Sequence, residues 1–280
     1  MTWKRVATAA VLIPVVVAIV LFAPKTVVAL AVTAITILAL WEYFALGEAI
    51  GHRAYRLWTT FCSILFLFPF TDRSPLEGFH GNLSITLQSP TTVLFVFVLG
   101  LTALTLWTRR PLVESLPAAG ISSSALLLVT FPLSYAVRLG AWPNSGRRLL
   151  LFALVLTWAA DTTAYFVGRA IGKHPLAPHI SPKKTWEGSI GSMIGSLLVA
   201  YAFRFWIQIP LLHLILMAVL GNIAGQMGDL LESAYKRSAG VKDSGGLLPG
   251  HGGVLDRIDA LILCIPVIWY YLVLVNPSIR

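Results

Sequence analysis

Nine stretches of this chain, 7–23, 26–46, 57–70, 91–107, 119–137, 149–167, 189–208, 211–228 and 260–275, are almost wholly apolar. A helix that crosses a bilayer needs about 20 such residues, with a range of roughly 17–25. Most of the stretches reach or approach that length, and the third is short. In hydrocarbon every backbone N–H and C=O must be satisfied within the chain, so runs of this length are read as helices. Composition agrees. Hydrophobic residues make up 57% of the 280 and charged residues 12%, against about 45–50% and about 25% in soluble domains. Mean hydropathy is +0.79. A soluble domain and a disordered chain are excluded. The two cysteines, Cys62 and Cys264, lie inside apolar runs, which excludes a disulfide scaffold and a cysteine metal site. The expected fold is all-α, a polytopic integral membrane protein of about nine transmembrane helices.

Charge sets the expected orientation. Of the 21 Lys and Arg residues, fourteen fall on one side of a nine-span chain: Lys4, Arg5, Arg53, Arg56, Arg109, Arg110, Arg169, Lys173, Lys183, Lys184, Lys236, Arg237, Lys242 and Arg257. Cations concentrate in cytoplasmic loops, so this side is read as the cytoplasm, together with the N-terminus and the loops 168–188 and 229–259. The group Arg138, Arg147 and Arg148 runs against the rule. The net charge of +9 is assigned to membrane orientation, and no nucleic-acid partner is expected. The first run follows Lys4 and Arg5 as a signal peptide would. Phe22-Ala23-Pro24 makes a poor cleavage site, so the run is read as a retained helix.

Polar groups are costly in such a chain, and their positions therefore carry information. Seven of the twelve acids, Asp161, Glu187, Asp229, Glu232, Asp243, Asp256 and Asp259, lie in the last 120 residues. Residues 1–150 are read as scaffold helices and 151–280 as a catalytic membrane region with cytoplasmic motif loops, within one continuous membrane domain. Glu42, in the second run with no motif around it, is read as structural.

The densest stretch is 228–259. Asp229, Glu232, Ser233, Lys236 and Arg237 recur three and four residues apart, so one helical face presents them together. Lys242 and Asp243 follow, then a glycine-rich loop around His251, and Asp256 and Asp259 open the last run. Carboxylates without cysteine suit a hard cation such as Mg²⁺, which shares oxygen ligands with phosphates. Lysine and arginine beside them suit phosphate oxygens. Asp229 and Asp256, each at a helix end, are placed to converge on a metal, and a metal pair would clamp both oxygens of a phosphoryl-type displacement. Two further patches stand out. Ser181-Pro-Lys183-Lys184-Thr185 precedes a helix N-terminus, which favours anions, although topology alone would also explain the lysines. Asp161 lies inside the sixth run and needs a partner or a water-filled cavity. The pairs Gly191/Gly195 and Gly221/Gly225 are read as helix packing. Gly168–Lys173 falls one residue short of a P-loop and lacks the following Ser or Thr.

The string Ser233-Ala-Tyr-Lys236-Arg237, four residues, Lys242-Asp243, then Pro249-Gly-His251-Gly-Gly-Val-Leu-Asp256-Arg257-Ile-Asp259 resembles the signature of the phosphatidate cytidylyltransferases, or CDP-diacylglycerol synthases. The block Asp161–Tyr165 with Gly168, Gly172 and Lys173 resembles the family's sixth span. The block 181–188 resembles its lysine-rich loop. The resemblance covers roughly 155–265, and Thr163 stands where the family often has Gly or Ala.

The resemblance implies the reaction CTP plus phosphatidate to CDP-diacylglycerol plus pyrophosphate. It implies Mg²⁺, with a second, monovalent cation such as K⁺, a homodimer, and a bacterial inner membrane with the site facing the cytoplasm. The metal ligands would be Asp229 and Asp256, with Asp259 and Glu232. Lys236, Lys242, Asp243 and Asp161 would serve the chemistry. Lys183, Lys184, Ser181, Thr185, Arg237, Ser233, His251 and Arg257 would bind substrate phosphates. A cation-coupled transporter is the alternative, since intramembrane acids and broken helices also occur there.

Overall fold

The computed structural model describes residues 2–67, 90–107, 111–247 and 252–275, with side chains described from residue 10 onward. The expectation for His251 lies outside the described residues. The helices are α1 (Thr2–Phe22), α2 (Lys25–Ala49), α3 (Arg56–Leu67), α4 (Pro90–Trp107), α5 (Leu112–Ala125), α6 (Phe131–Gly140), α7 (Gly146–Ile171), α8 (Trp186–Phe203), α9 (Leu211–Ser238) and α10 (Leu255–Val275). Each predicted run overlaps a described helix, although the seventh, 189–208, outlasts α8, which stops at Phe203, and 68–70 of the third lie outside the described residues. Six helical segments are long and apolar enough to cross a membrane: α2, α4, α5 with α6 as one segment 112–140, α7, α9 and α10. α3 and the described part of α1 are shorter. The protein is thus an α-helical, multi-pass membrane protein.

One departure from all-α is a two-stranded antiparallel hairpin, β1 (Pro175–Ala177) with β2 (Ser181–Thr185), pairing Pro175 with Thr185 and Ala177 with Ser181. Strands this short carry no readable periodicity, so 168–188 is legible in sequence only as a loop.

Local chemistry explains several element boundaries. Pro24 and Pro210 precede α2 and α9, and Pro111 precedes α5. Between α5 and α6 the ladder widens into a π turn, Leu126–Thr130. Pro132 has no N–H and would press its ring on the carbonyl four residues back, which the wider turn relieves. α9 stops where Gly240 takes φ +70° and Val241 donates its amide to the Lys236 carbonyl. This left-handed C-terminal cap is natural for glycine.

Two helix pairs build residues 146–275. α7 packs on α8 and α9 on α10. A Cβ on Gly191 would come within 2.7 Å of Val167, and one on Gly195 would overlap Thr163. The small residues are therefore interface, as their spacing suggests. Thr163 does not prevent close packing, because Gly195 leaves room for it. Gly221 and Gly225 face Cys264 and Ala260 of α10 in the same way. The main core is built from Leu40 and Phe44 of α2, Leu133 and Leu139 of α6, Phe152 and Leu156 of α7, Met217 of α9 and Ile265 of α10, all buried. Both cysteines are buried and free. Large apolar side chains such as Leu106, Leu116, Phe166 and Leu198 are exposed on the outer surface, as lipid contact requires.

The basic cluster that runs against the charge rule is engaged with the protein. Arg147 donates to the Leu21 carbonyl at 2.7 Å and Arg148 to that of Trp206 at 2.9 Å. Arg138 lies 4.9 Å over the Tyr135 ring and 5.6 Å over Trp269. These arginines tie down helix ends and aromatic faces, which accounts for cations at that end of the bundle.

Candidate active site

The ends of α2, α7 and α9, the starts of α8 and α10, and the hairpin all meet at one end of the bundle. There a cleft of about 360 Å³ runs between α7, α8 and α9. Its rim carries Lys183 and Lys184 from β2, with Arg169 and Tyr165 from α7. Asp161 and Asp229 line it at the next level, and Gln226, Asn222, Ser192 and Thr157 line it more deeply.

The hairpin positions the lysines. Thr185 closes β2 and caps α8, its Oγ1 accepting from the Gly188 amide at 3.1 Å. Lys184 reaches Asp229 of α9 at 2.5 Å. Lys183 is exposed at the rim, and Ser181 sits at the hairpin turn. Glu187, in the first turn of α8, accepts from His174 Nδ1 at 2.6 Å. That bond, with the surrounding backbone amides, holds its carboxyl down to about 2.

On the other flank Lys236 lies between two carboxylates. Its Nζ is 2.5 Å from Glu232, one turn back on α9, and 2.5 Å from Asp256 of α10. All three side chains are largely buried. The second oxygen of Asp256 accepts the amides of Ser244 at 3.0 Å and Gly253 at 2.8 Å. Gly252 takes φ +78° beside it. Asp259 lies one turn along α10, where a Cβ on Gly228 would come within 2.5 Å of its carbonyl. That close approach of α9 and α10 brings Asp259 within reach of the charges of Asp229, Glu232 and Asp161. Asp161 feels Asp229, Lys184 and Arg257.

The structure therefore draws together Asp161, Lys184, Asp229, Glu232, Lys236, Asp256 and Asp259, with Arg257 near. Ser233 contacts Asp229 at 3.5 Å. Lys242 and Asp243 are exposed on the connecting segment rather than in the charged cluster. Arg237 donates to the carbonyls of Ile180 and Val241, tying the end of α9 to the hairpin.

Among the described residues, no three His, Cys, Asp or Glu side chains lie close enough together to hold an ion between them. The donor set nevertheless suits a hard cation. Five carboxylates (Asp161, Asp229, Glu232, Asp256 and Asp259) outnumber the three cations near them (Lys184, Lys236 and Arg257), and Asp229 and Asp256 each hold a lysine at 2.5 Å. An all-oxygen site with surplus negative charge fits Mg²⁺.

Sequence reasoning missed three features. Arg169 reads in the sequence only as a topology cation, yet it donates to the Tyr165 hydroxyl at 2.9 Å on the rim. The polar wall of Ser189, Ser192, Asn222 and Gln226 is one connected network, with Gln226 bonding Ser189 at 2.6 Å and Asn222 at 2.6 Å. Its signal was polar residues three and four apart inside apolar runs. Glu42 bonds the motif segment itself. Its signal was an acid inside a span.

Comparison with known proteins identifies the family. Residues 3–275 match the cytidylyltransferase family. The chain is 36% identical over 286 residues to the phosphatidate cytidylyltransferase of Haemophilus influenzae, covering 96% of this chain and 97% of that one. It is 38% identical over 157 residues to that of Bacillus subtilis, covering 55% and 58%. It is 43% identical over 150 residues to that of Staphylococcus haemolyticus, covering 53% and 56%. These relatives carry transferase names and lend the transporter alternative no support.

Proposed function

The chain belongs to the cytidylyltransferase family, and we propose that it transfers the cytidylyl group of CTP to phosphatidate. A phosphate oxygen of phosphatidate forms a bond to the CTP α-phosphorus. The bond from that phosphorus to the bridging oxygen breaks, and pyrophosphate leaves. The attacking phosphate is already an anion, so no strong base is needed. The barrier lies in bringing two anions together in line, and screening and placement lower it.

The observation that carries this reading is the lysine–carboxylate pairing at the head of the cleft. Lys184 on Asp229, and Lys236 between Glu232 and Asp256, are cations held in place by anionic oxygens. An incoming phosphate offers the same kind of oxygen and can take a lysine over. Lys183 and Arg169 at the rim would meet the outer phosphates, and Asp161 would fix Lys184 from the other side. Mg²⁺, held by Asp229 and Asp256 with Asp259 and Glu232 around them, would supply neutralisation of charge at the transferring phosphate. A monovalent cation beside it follows from the family resemblance.

We propose nine spans with the N-terminus in the cytoplasm, a reading in which the loops 168–188 and 229–259 face the cytosol, where CTP is found. Fourteen cations on that side support it. The lipid would enter sideways from the bilayer. Bacterial relatives support the inner membrane, and a homodimer is the assembly we propose. The scaffold role of 1–150 and the catalytic role of 151–280 belong to the same reading.

The test is turnover of CTP by purified protein in detergent–phosphatidate micelles, with and without Mg²⁺. CDP-lipid and pyrophosphate should form only with phosphatidate and Mg²⁺, and Asp256→Asn should abolish them in protein that still inserts and folds. Full turnover by Asp256→Asn at limiting Mg²⁺ would remove the metal assignment. No product from folded wild-type protein would remove the function.

A further inference from the structure

We propose that Glu42, from the scaffold half of the chain, is a positioning residue for the transfer site. The proposal rests on the cytidylyl-transfer reading above. Glu42 is an acid on α2, inside a membrane-length apolar helix, and lies outside the cleft lining. Both of its oxygens are used. Oε1 accepts the amide of Val254 at 2.9 Å. Oε2 accepts the amide of Leu255 at 2.8 Å and the hydroxyl of Ser244 at 2.9 Å. Val254 and Leu255 open α10, so their amides belong to the donors that a helix leaves unpaired at its start. A carboxylate placed there is further favoured by the helix dipole. Glu42 thus caps α10 from another helix, more than 200 residues away in sequence.

The motif segment is shaped around this carboxylate. A Cβ on Gly245 would lie 2.5 Å from Glu42 Oε1, and one on Gly253 would overlap Oε2. Gly245 and Gly253, in the glycine-rich motif loop, therefore make room for the protein's own acid.

The same residues hold Asp256. Ser244 donates its hydroxyl to Glu42 and its amide to Asp256. Gly253 donates its amide to Asp256 and lacks a side chain where Glu42 sits. The two carboxylates thus share Ser244 and Gly253. Glu42 fixes these residues, and they fix the direction in which Asp256 points toward Lys236.

Glutamine is the sharp test, since it keeps size and reach. All three partners of Glu42 donate, and two of them are backbone amides on different oxygens. Wherever its NH₂ group goes, one amide loses its acceptor. A space-filling role would tolerate Glu42→Gln, whereas the positioning role would not.

The experiment uses the full chain in detergent–phosphatidate micelles and compares wild type, Glu42→Gln and Ser244→Ala, with rates normalised to folded protein. Losing acceptors at charge-assisted bonds should lower kcat of Glu42→Gln about 10- to 100-fold, with KM for CTP within about 3-fold. Its half-saturating Mg²⁺ should rise, because Asp256 is no longer aimed. Amide hydrogen exchange should quicken at 253–256 and stay unchanged in the core of α9. Ser244→Ala, which loses one bond, should move the same way by a smaller factor, and it decides the matter if Glu42→Gln fails to insert. Wild-type kcat and Mg²⁺ dependence in Glu42→Gln, or in Ser244→Ala where that variant decides, would overturn the proposal even if exchange quickened. Wild-type protein that makes no CDP-lipid would overturn the transfer reading instead, and the positioning role with it.

Discussion

Replacing Lys236 with methionine keeps the unbranched stem, one atom shorter, and removes the charge. Lys236 is 11% exposed, and its two partners, Glu232 and Asp256, are 6% exposed each. Without the lysine, two buried carboxylates face each other with no cation between them. Removing one partner of a buried ion pair costs about 3–5 kcal/mol, because the remaining charge is left uncompensated. Asp256 keeps the amides of Ser244 and Gly253. Among the described residues no backbone amide supports Glu232 in this way, so most of the cost falls on Glu232. Adding Glu232→Gln to Lys236→Met should therefore recover about 1–3 kcal/mol, the usual size of coupling between contacting residues. The assay is thermal unfolding in detergent without Mg²⁺, in which the single mutant loses on the order of 10 °C and the double mutant regains part of it. Turnover should stay low in both, since neither has the lysine. A single mutant within about 1 kcal/mol of wild type would refute the buried-triad argument. A double mutant no more stable than the single would refute the assignment of the strain to Glu232.

The remaining predictions concern the flanks of the site. Gly195→Ala should cost about 1–3 kcal/mol by overpacking against Thr163, and Thr163→Ala in the same chain should recover most of it, read by unfolding midpoint. Lys184→Ala should raise the CTP concentration needed for half-maximal rate, whereas an unchanged CTP dependence would leave that lysine with topology alone. Glu187 titrates at about 2 instead of its ordinary 4.5 because of the His174 bond. A depressed carboxylate contributes stability that is complete above 4.5 and lost as pH falls toward 2. Glu187→Gln should flatten the dependence of the unfolding midpoint on pH across that window, and an unaltered slope would show that the bond contributes nothing.

The apolar runs and the charged face of Asp229, Glu232, Ser233 and Lys236 were legible in the sequence. Each depends on free energies that act locally. These are the transfer of apolar residues into lipid, the satisfaction of backbone groups within one helix, and the three- and four-residue spacing that aligns side chains. The Lys236–Glu232 pair belongs to this class, being one turn apart. The motif 229–259 was likewise visible, because so many charges and glycines have no cause in a plain interhelical loop.

The tertiary structure decided the rest. Lys184 meets Asp229, Lys236 meets Asp256, and Glu42 meets Val254 and Leu255, all across helix contacts that leave no periodicity in the sequence. The same holds for the wall of Ser189, Ser192, Asn222 and Gln226, whose partners lie on two helices. Which polar faces meet depends on how the glycine-lined pairs α7–α8 and α9–α10 close on each other. That packing is set by steric fit at Gly191, Gly195, Gly221 and Gly228, so a carboxylate read as scaffold came to cap the helix that carries Asp256.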